Sequence, residues 1–184
     1  MDIKISTKQI LNFLNVLSWI IFLGLCVEAG GIIFNAFFTH FINNDGSNYF
    51  WNGIDFSALY NFDYGHFFVI ILLMSIVAIM KALMFFQIVK TLNYKKLDLS
   101  KPFNKELRGV IVIIAYIVLA IGIFSNWGIN YTQWLVSKNI NMPNVIEMGF
   151  GGADVWLFMC VILFVIAQIF KRGIELQEEN DLTI

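Results

Sequence analysis

The chain has 184 residues, 59% of them hydrophobic and only 14% charged, with a formal net charge of −1. A soluble domain, ordinarily ~45–50% apolar and ~25% charged, could not hide that much apolar surface from water, and the near-neutral balance gives no reason to expect direct nucleic-acid binding. Two cysteines, Cys26 and Cys160, each alone in an apolar run, exclude a disulfide framework and any CxxC zinc or redox motif.

Crossing ~30 Å of hydrocarbon takes ~20 mainly apolar residues in a helix, and four segments meet or approach that length. The first runs from about 10 to 38 and is interrupted by Asn12, Asn15, Glu28 and Asn35. Ser6 and Gln9 precede it with capping-box spacing. At 29 residues, with no small-residue cleavage site behind it, it reads as a retained span rather than a signal peptide. An outer loop, 39–66, leads to the second span, 67–89, whose one charge is Lys81. In the following link, 90–104, Pro102 stops any helix continuing from the second span and Asn104 is placed to cap the third, predicted over 105–124. The second outer connection, 125–154, ends in Gly151, Gly152 and Asp154, read as a turn and helix cap for the fourth span, 155–170, with a tail at 171–184.

Basic residues set the orientation. Lys4, Lys8, Lys90, Lys95, Lys96, Lys101, Lys105, Arg108, Lys171 and Arg172 fall on one side, and only Lys138 on the other. The sequence therefore predicts an all-α integral membrane protein, a single domain. It is a four-helix transmembrane bundle in a bacterial cytoplasmic (inner) membrane, with both termini cytoplasmic and a small aromatic-rich extracytoplasmic cap. The short link makes spans two and three antiparallel neighbours. Ser75, Ala78 and Ala82 form a small-residue stripe suited to close packing within the bundle or in a homodimer.

The cytoplasmic segments carry a resemblance. Leu97-Asp98-Leu99-Ser100-Lys101-Pro102-Phe103 and the tail from Ile169 to Ile184 resemble the bacterial membrane family called domain of unknown function 2975. The resemblance implies four transmembrane helices and supplies no catalytic residue. Members are often encoded beside a small Cro-type helix-turn-helix regulator, which suggests that regulator as a partner.

Ionisable groups inside spans are functional candidates by default, which singles out Glu28 and Lys81. Counted at ~1.5 Å per residue from the predicted inner boundary, they lie roughly 15 Å apart in depth. The expectation is that Lys81 snorkels toward the cytoplasmic headgroups while Glu28 meets an outer-loop group, with a proton or cation site as the alternative. His40 and His66, the only histidines, flank the first outer loop and would be the axial ligands of a haem. Otherwise no cofactor is expected, and no His/Cys/Glu cluster stands at metal-site spacing. The loops carry Tyr49, Phe50, Trp51, Phe56, Tyr60, Phe62, Tyr64, Trp127, Tyr131, Trp134, Phe150 and Trp156. These fit an interfacial aromatic belt. They also fit an outer cap, built by pairing 53–57 with 145–150, over an apolar ligand pocket formed by Glu28, Trp51, Tyr60, Trp134 and Trp156.

On the cytoplasmic side, Lys95, Lys96 and Lys101 face an acidic tail containing Glu175, Glu178, Glu179 and Asp181. Either the basic residues serve topology and attraction to anionic lipid, at about 1 kcal/mol each, or link and tail dock into one surface for a cytosolic regulator. No GxSxG, HExxH, P-loop or GxGxxG motif is present, so no enzyme activity is expected. Three readings follow: a signalling or regulatory membrane protein, a binder or carrier of a lipid or other hydrophobic molecule, and a haem-bearing redox protein.

Overall fold

The computed structural model describes residues 7–42, 44–93 and 103–181. Its elements in chain order are α1 (Thr7–Phe41), two short 3-10 turns (Asn44–Ser47 and Trp51–Gly53), α2 (Ser57–Phe62), α3 (Tyr64–Asn93), α4 (Lys105–Ser137) and α5 (Ala153–Asp181). α1, α3, α4 and α5 are each long and apolar enough to cross a membrane. No strand occurs among the described residues, only an isolated antiparallel bridge between Phe50 and Ile54.

The helices pack in chain order: α1 on α3, α3 on α4, and α4 on α5, with no direct backbone approach between α1 and α5. α3 is the most enclosed span and α1 the least. Ala78 and Ala82 of the predicted small-residue stripe are buried. Side-chain contacts fix the register. Asn15 donates to Asn93 at 2.8 Å, Phe22 meets Phe86, and His40 meets Tyr64. In the second antiparallel pair Lys105 meets Glu178, Tyr116 meets Phe164, and Leu157 seats against Gly122. Both termini therefore lie at one end of the bundle, the terminal end, with α2 and the two longer connections at the loop end.

All four spanning helices overrun their predicted limits, α1 by three residues at each end. α4 continues past Phe124 because a helix needs satisfied backbone bonds, not an unbroken apolar run. Ser125, Gly128 and Thr132 turn inward and are buried, and the Thr132 hydroxyl donates to the Gly128 carbonyl at 2.8 Å. α4 stops where Asn139 takes a left-handed conformation (φ 62°). The Asn139 amide donates to Val136 and that of Ile140 to Leu135, a Schellman ending whose apolar partners Ile140 and Leu135 are both buried. α5 runs through Lys171 and Arg172 to Asp181 rather than ending at 170. α3 begins at Tyr64, three residues early, because the Asp63 carboxylate accepts from the His66 amide at 3.0 Å and caps it.

Of the expected caps, Asn104 accepts from the Leu107 amide at 2.7 Å and starts α4 as predicted. Asp154 sits inside the first turn of α5 instead of capping it, where its charge faces the helix dipole. Ser6 lies outside the described residues.

The two loops are folded differently from the predicted pairing of 53–57 with 145–150. Among the described residues, backbone hydrogen bonds stay within each loop. The first loop closes on itself through Phe50 to Ile54 and Phe56 to Ser47, and it buries Phe50, Phe56 and Leu59 against Phe67. Ring contacts there are edge-on, Phe50–Phe56 at 5.4 Å and Phe56–Phe67 at 6.0 Å, the geometry the ring quadrupole favours.

Candidate functional site

Two charges in the spans organise the site. Measured from the Asn15–Asn93 contact at ~1.5 Å per residue, Glu28 lies roughly 20 Å along α1 and Lys81 roughly 18 Å along α3. They share one level, which corrects the expected gap. That gap came from placing the ends of the two helices at the limits of their apolar runs, whereas the helices pair beyond those limits. Lys81 also does not reach toward the terminal end. Its ammonium donates at 2.8 Å to the carbonyl of Gly149, in the α4–α5 connection. A Cβ placed on Gly149 would stand 3.7 Å from Lys81 Nζ and 3.8 Å from Glu28 Oε1, so both charges converge on this one residue. Glu28 thus lies close to this turn and has Lys81 as its neighbour.

The connection reaches this depth because of helix lengths. α4 continues roughly 22 Å past Gly122, while α5 starts only ~6 Å past Leu157, so residues 138–152 must return about 16 Å alongside α4. Irregular backbone at such depth survives only where protein covers it and satisfies its polar groups. Here a compact turn does that. The amides of Met148, Gly149 and Phe150 donate to the carbonyls of Asn144, Ile146 and Val145, and the Asn144 side chain accepts from Ile146. Gly149 has φ 80°, which favours glycine. Phe150 is fully buried, its ring set against Gly128, where an added Cβ would come within 2.7 Å of it. Met148 is buried beside it in the same core.

The other predicted pocket residues do not converge on Glu28 as a group. Trp51 lies flat on Gly31 of α1, at 2.2 Å from where a Cβ would be. Tyr60 contacts Tyr64 and Phe67 edge-on. Trp134 stacks on Tyr131 at 5.7 Å, beneath the Lys138 ammonium. Trp156 packs against the core from the first turn of α5. The loop end is filled by its own rings at these positions. A cavity of about 180 Å³ does open between α1 and α3, lined by Ala36, Phe37, His40, Tyr64, Phe67 and Ile71 among others.

The two histidines face different neighbours. His40 Nδ1 shares a hydrogen bond with the Tyr64 hydroxyl at 2.5 Å, and His66 Nδ1 with the Tyr131 hydroxyl at 2.6 Å. Tyr64 and His66 are two residues apart on α3, hence about 200° around the helix, so the imidazoles lie at the α1–α3 and α3–α4 interfaces and do not share a centre. Among the described residues, no group of three or more His, Cys, Asp or Glu side chains forms a metal site.

At the terminal end the tail is helical as far as Asp181. Lys105 pairs with Glu178 at 2.8 Å, Arg172 with Glu175 at 3.1 Å, and Phe103 seats on Gly173 and Phe170. Lys95, Lys96 and Lys101 lie outside the described residues, as does the side chain of Asp181.

Residues 35–184 match the family described as Protein of unknown function (DUF2975). The chain belongs to the DUF2975 family. No curated protein and no solved structure matches it. The DUF2975 match spans Lys81, the Gly149 turn and the helical tail, whereas Glu28 precedes it. Gly149, Phe150 and Gly128 are the site residues that sequence reasoning missed. Their signal was the glycine density of 149–152 together with a glycine inside α4, but which ring meets which glycine is a matter of three dimensions.

Proposed function

We propose that this DUF2975 protein is a signalling or regulatory protein of the bacterial cytoplasmic membrane, with its terminal end in the cytoplasm. There it engages a small helix-turn-helix regulator through the basic α3–α4 link and the acidic extension of α5. The observation that carries the reading is the Lys105–Glu178 contact, which joins the basic end of the link to the acidic extension. Exposed Leu176 adds an apolar anchor to that surface. The distribution of Lys and Arg supports the orientation.

The test is a native pull-down of N-terminally tagged protein from its own membranes, followed by mass spectrometry. A stoichiometric DNA-binding protein is expected in the wild type and absent from E175Q/E178Q/E179Q, with membrane insertion unchanged. Equal capture by both forms would overturn the reading. Neutralising the extension is a cleaner probe than deleting it, since Ile174 is buried and Gly173 seats Phe103.

A second reading, binding of a lipid or other hydrophobic molecule at the loop end, is supported by the cavity between α1 and α3 with the His40–Tyr64 pair on its wall. Its occupant would be retained through gentle purification and lost from A36W, which fills the cavity. Retention by both forms counts against it.

A further inference from the structure

The turn at 144–150 combines three properties. It is internally bonded, so it moves as one unit. It is held against the bundle at two identified places, the Phe150 ring on Gly128 and the Lys81 ammonium on the Gly149 carbonyl. It continues through Gly151 and Gly152, the latter at φ 74°, directly into the first turn of α5. One fastening is apolar and belongs to α4. The other is a hydrogen bond from a charged donor and joins the turn to α3, with Glu28 of α1 close by.

We propose that residues 144–150 form a strap whose docking depends on Lys81 and its neighbouring charge Glu28, and that losing either charge lets the strap leave α1 and α3. The physical reason is the local solvent. A lysine at this depth is costly unless it is partnered; its partner here is the Gly149 carbonyl, with the Glu28 carboxylate close by. Without the Glu28 charge, Lys81 has less reason to stay at this level and a route outward along its own stem. Without the Lys81 ammonium, the Gly149 carbonyl keeps no charged donor and Glu28 stands without a counter-charge. In both cases the released turn reorients the residues that lead into α5. The strap stands whether or not the α5 extension has a partner.

The experiment reads strap docking directly in nanodiscs of the full chain, in a C26S background. Met148, 1% exposed, is replaced by cysteine, and its maleimide labelling rate is compared with that of Cys160, which stays buried between α4 and α5 as a control. K81M is expected to raise labelling at position 148 by at least about tenfold, the factor implied by losing one hydrogen bond to a charged group. E28Q raises it less, and K81R restores protection. Hydrogen exchange at 144–150, without the introduced cysteine, rises in the same order. Equal labelling and exchange in wild type and K81M would overturn the proposal. Should K81M expose Cys160 and so report misassembly, E28Q decides: no change at position 148 or in exchange at 144–150 then overturns it.

Discussion

The two ends of the bundle combine ring packing and charge in different proportions. At the loop end, rigid rings sit on glycines: Trp51 on Gly31 and Phe150 on Gly128, both within distances that leave no room for a methyl group. At the terminal end one ring also sits on a glycine, Phe103 on Gly173, but exposed ion pairs stand beside it. Lys105–Glu178 and Arg172–Glu175 are well-formed ion pairs, but their side chains are more than two-fifths solvent-exposed. Apolar surface in lipid gains little from burial as such, so contact between spans must come from close packing and satisfied polar groups. A ring in a glycine notch supplies dense dispersion contact that cannot be rearranged cheaply. An exposed ion pair is weakened by water and salt. The loop end therefore leans more on packing, and the terminal end more on contacts that water and salt can loosen.

The largest expected effect tests the loop end. G31A drives a Cβ into the Trp51 ring and should cost ~1–3 kcal/mol of overpacking, offset by up to ~1 kcal/mol of helix propensity. G128A should act likewise on Phe150, and both should lower the thermal midpoint in detergent. A neutral G31A would show that the first loop yields easily and would break the comparison.

Next comes N104A, which removes the acceptor of the Leu107 amide and should cost about 1 kcal/mol. The loss should appear as faster hydrogen exchange confined to the first turn of α4, and spread along the helix would indicate that the terminal end is stiffer than its exposure suggests.

Smaller still is the Lys105–Glu178 coupling. A double-mutant cycle over K105A and E178A should return under about 1 kcal/mol, shrinking as salt rises. A larger, salt-insensitive value would put the two ends on an equal footing.

The smallest effect concerns Asp55, whose carboxylate lies below its ordinary range because the Ser57 hydroxyl and amide both hydrogen-bond to it. Since the folded value is depressed, its contribution to starting α2 is present above the ordinary carboxylate range and fades as pH falls through the folded value. D55N should abolish that acid dependence in the exchange of the α2 amides.

Much of the bundle was legible in the sequence. Each of the four spans was visible as an apolar run that met or approached the length needed to cross hydrocarbon, and the Asn104 cap and the antiparallel α3–α4 pair followed from Pro102, Asn104 and the short link. What misled was the use of apolar limits as helix limits. Ser125 and Gly128 interrupt the run in α4, yet the helix passes through them because inward-facing small residues suit a close contact better than leucine would. The same error displaced Glu28 from Lys81. The expected tail continues α5 as far as Asp181, held in part by i,i+3 and i,i+4 pairs with Glu175 that the spacing of Lys171 and Arg172 already encoded.

By itself the sequence determined which segments enter the membrane, because composition over about twenty residues decides transfer into lipid whatever the partners. It also marked Glu28 and Lys81, since charges inside spans stand out against any apolar background. Only the tertiary structure decided their relation. Register between α1 and α3 is set by where Asn15 meets Asn93 and Phe22 meets Phe86, contacts between residues far apart in the chain. The partner of Lys81 is a backbone carbonyl, a group every residue possesses and no sequence can single out. It reaches Lys81 because α4 is long, α5 starts low, and the chain between them has to come back down.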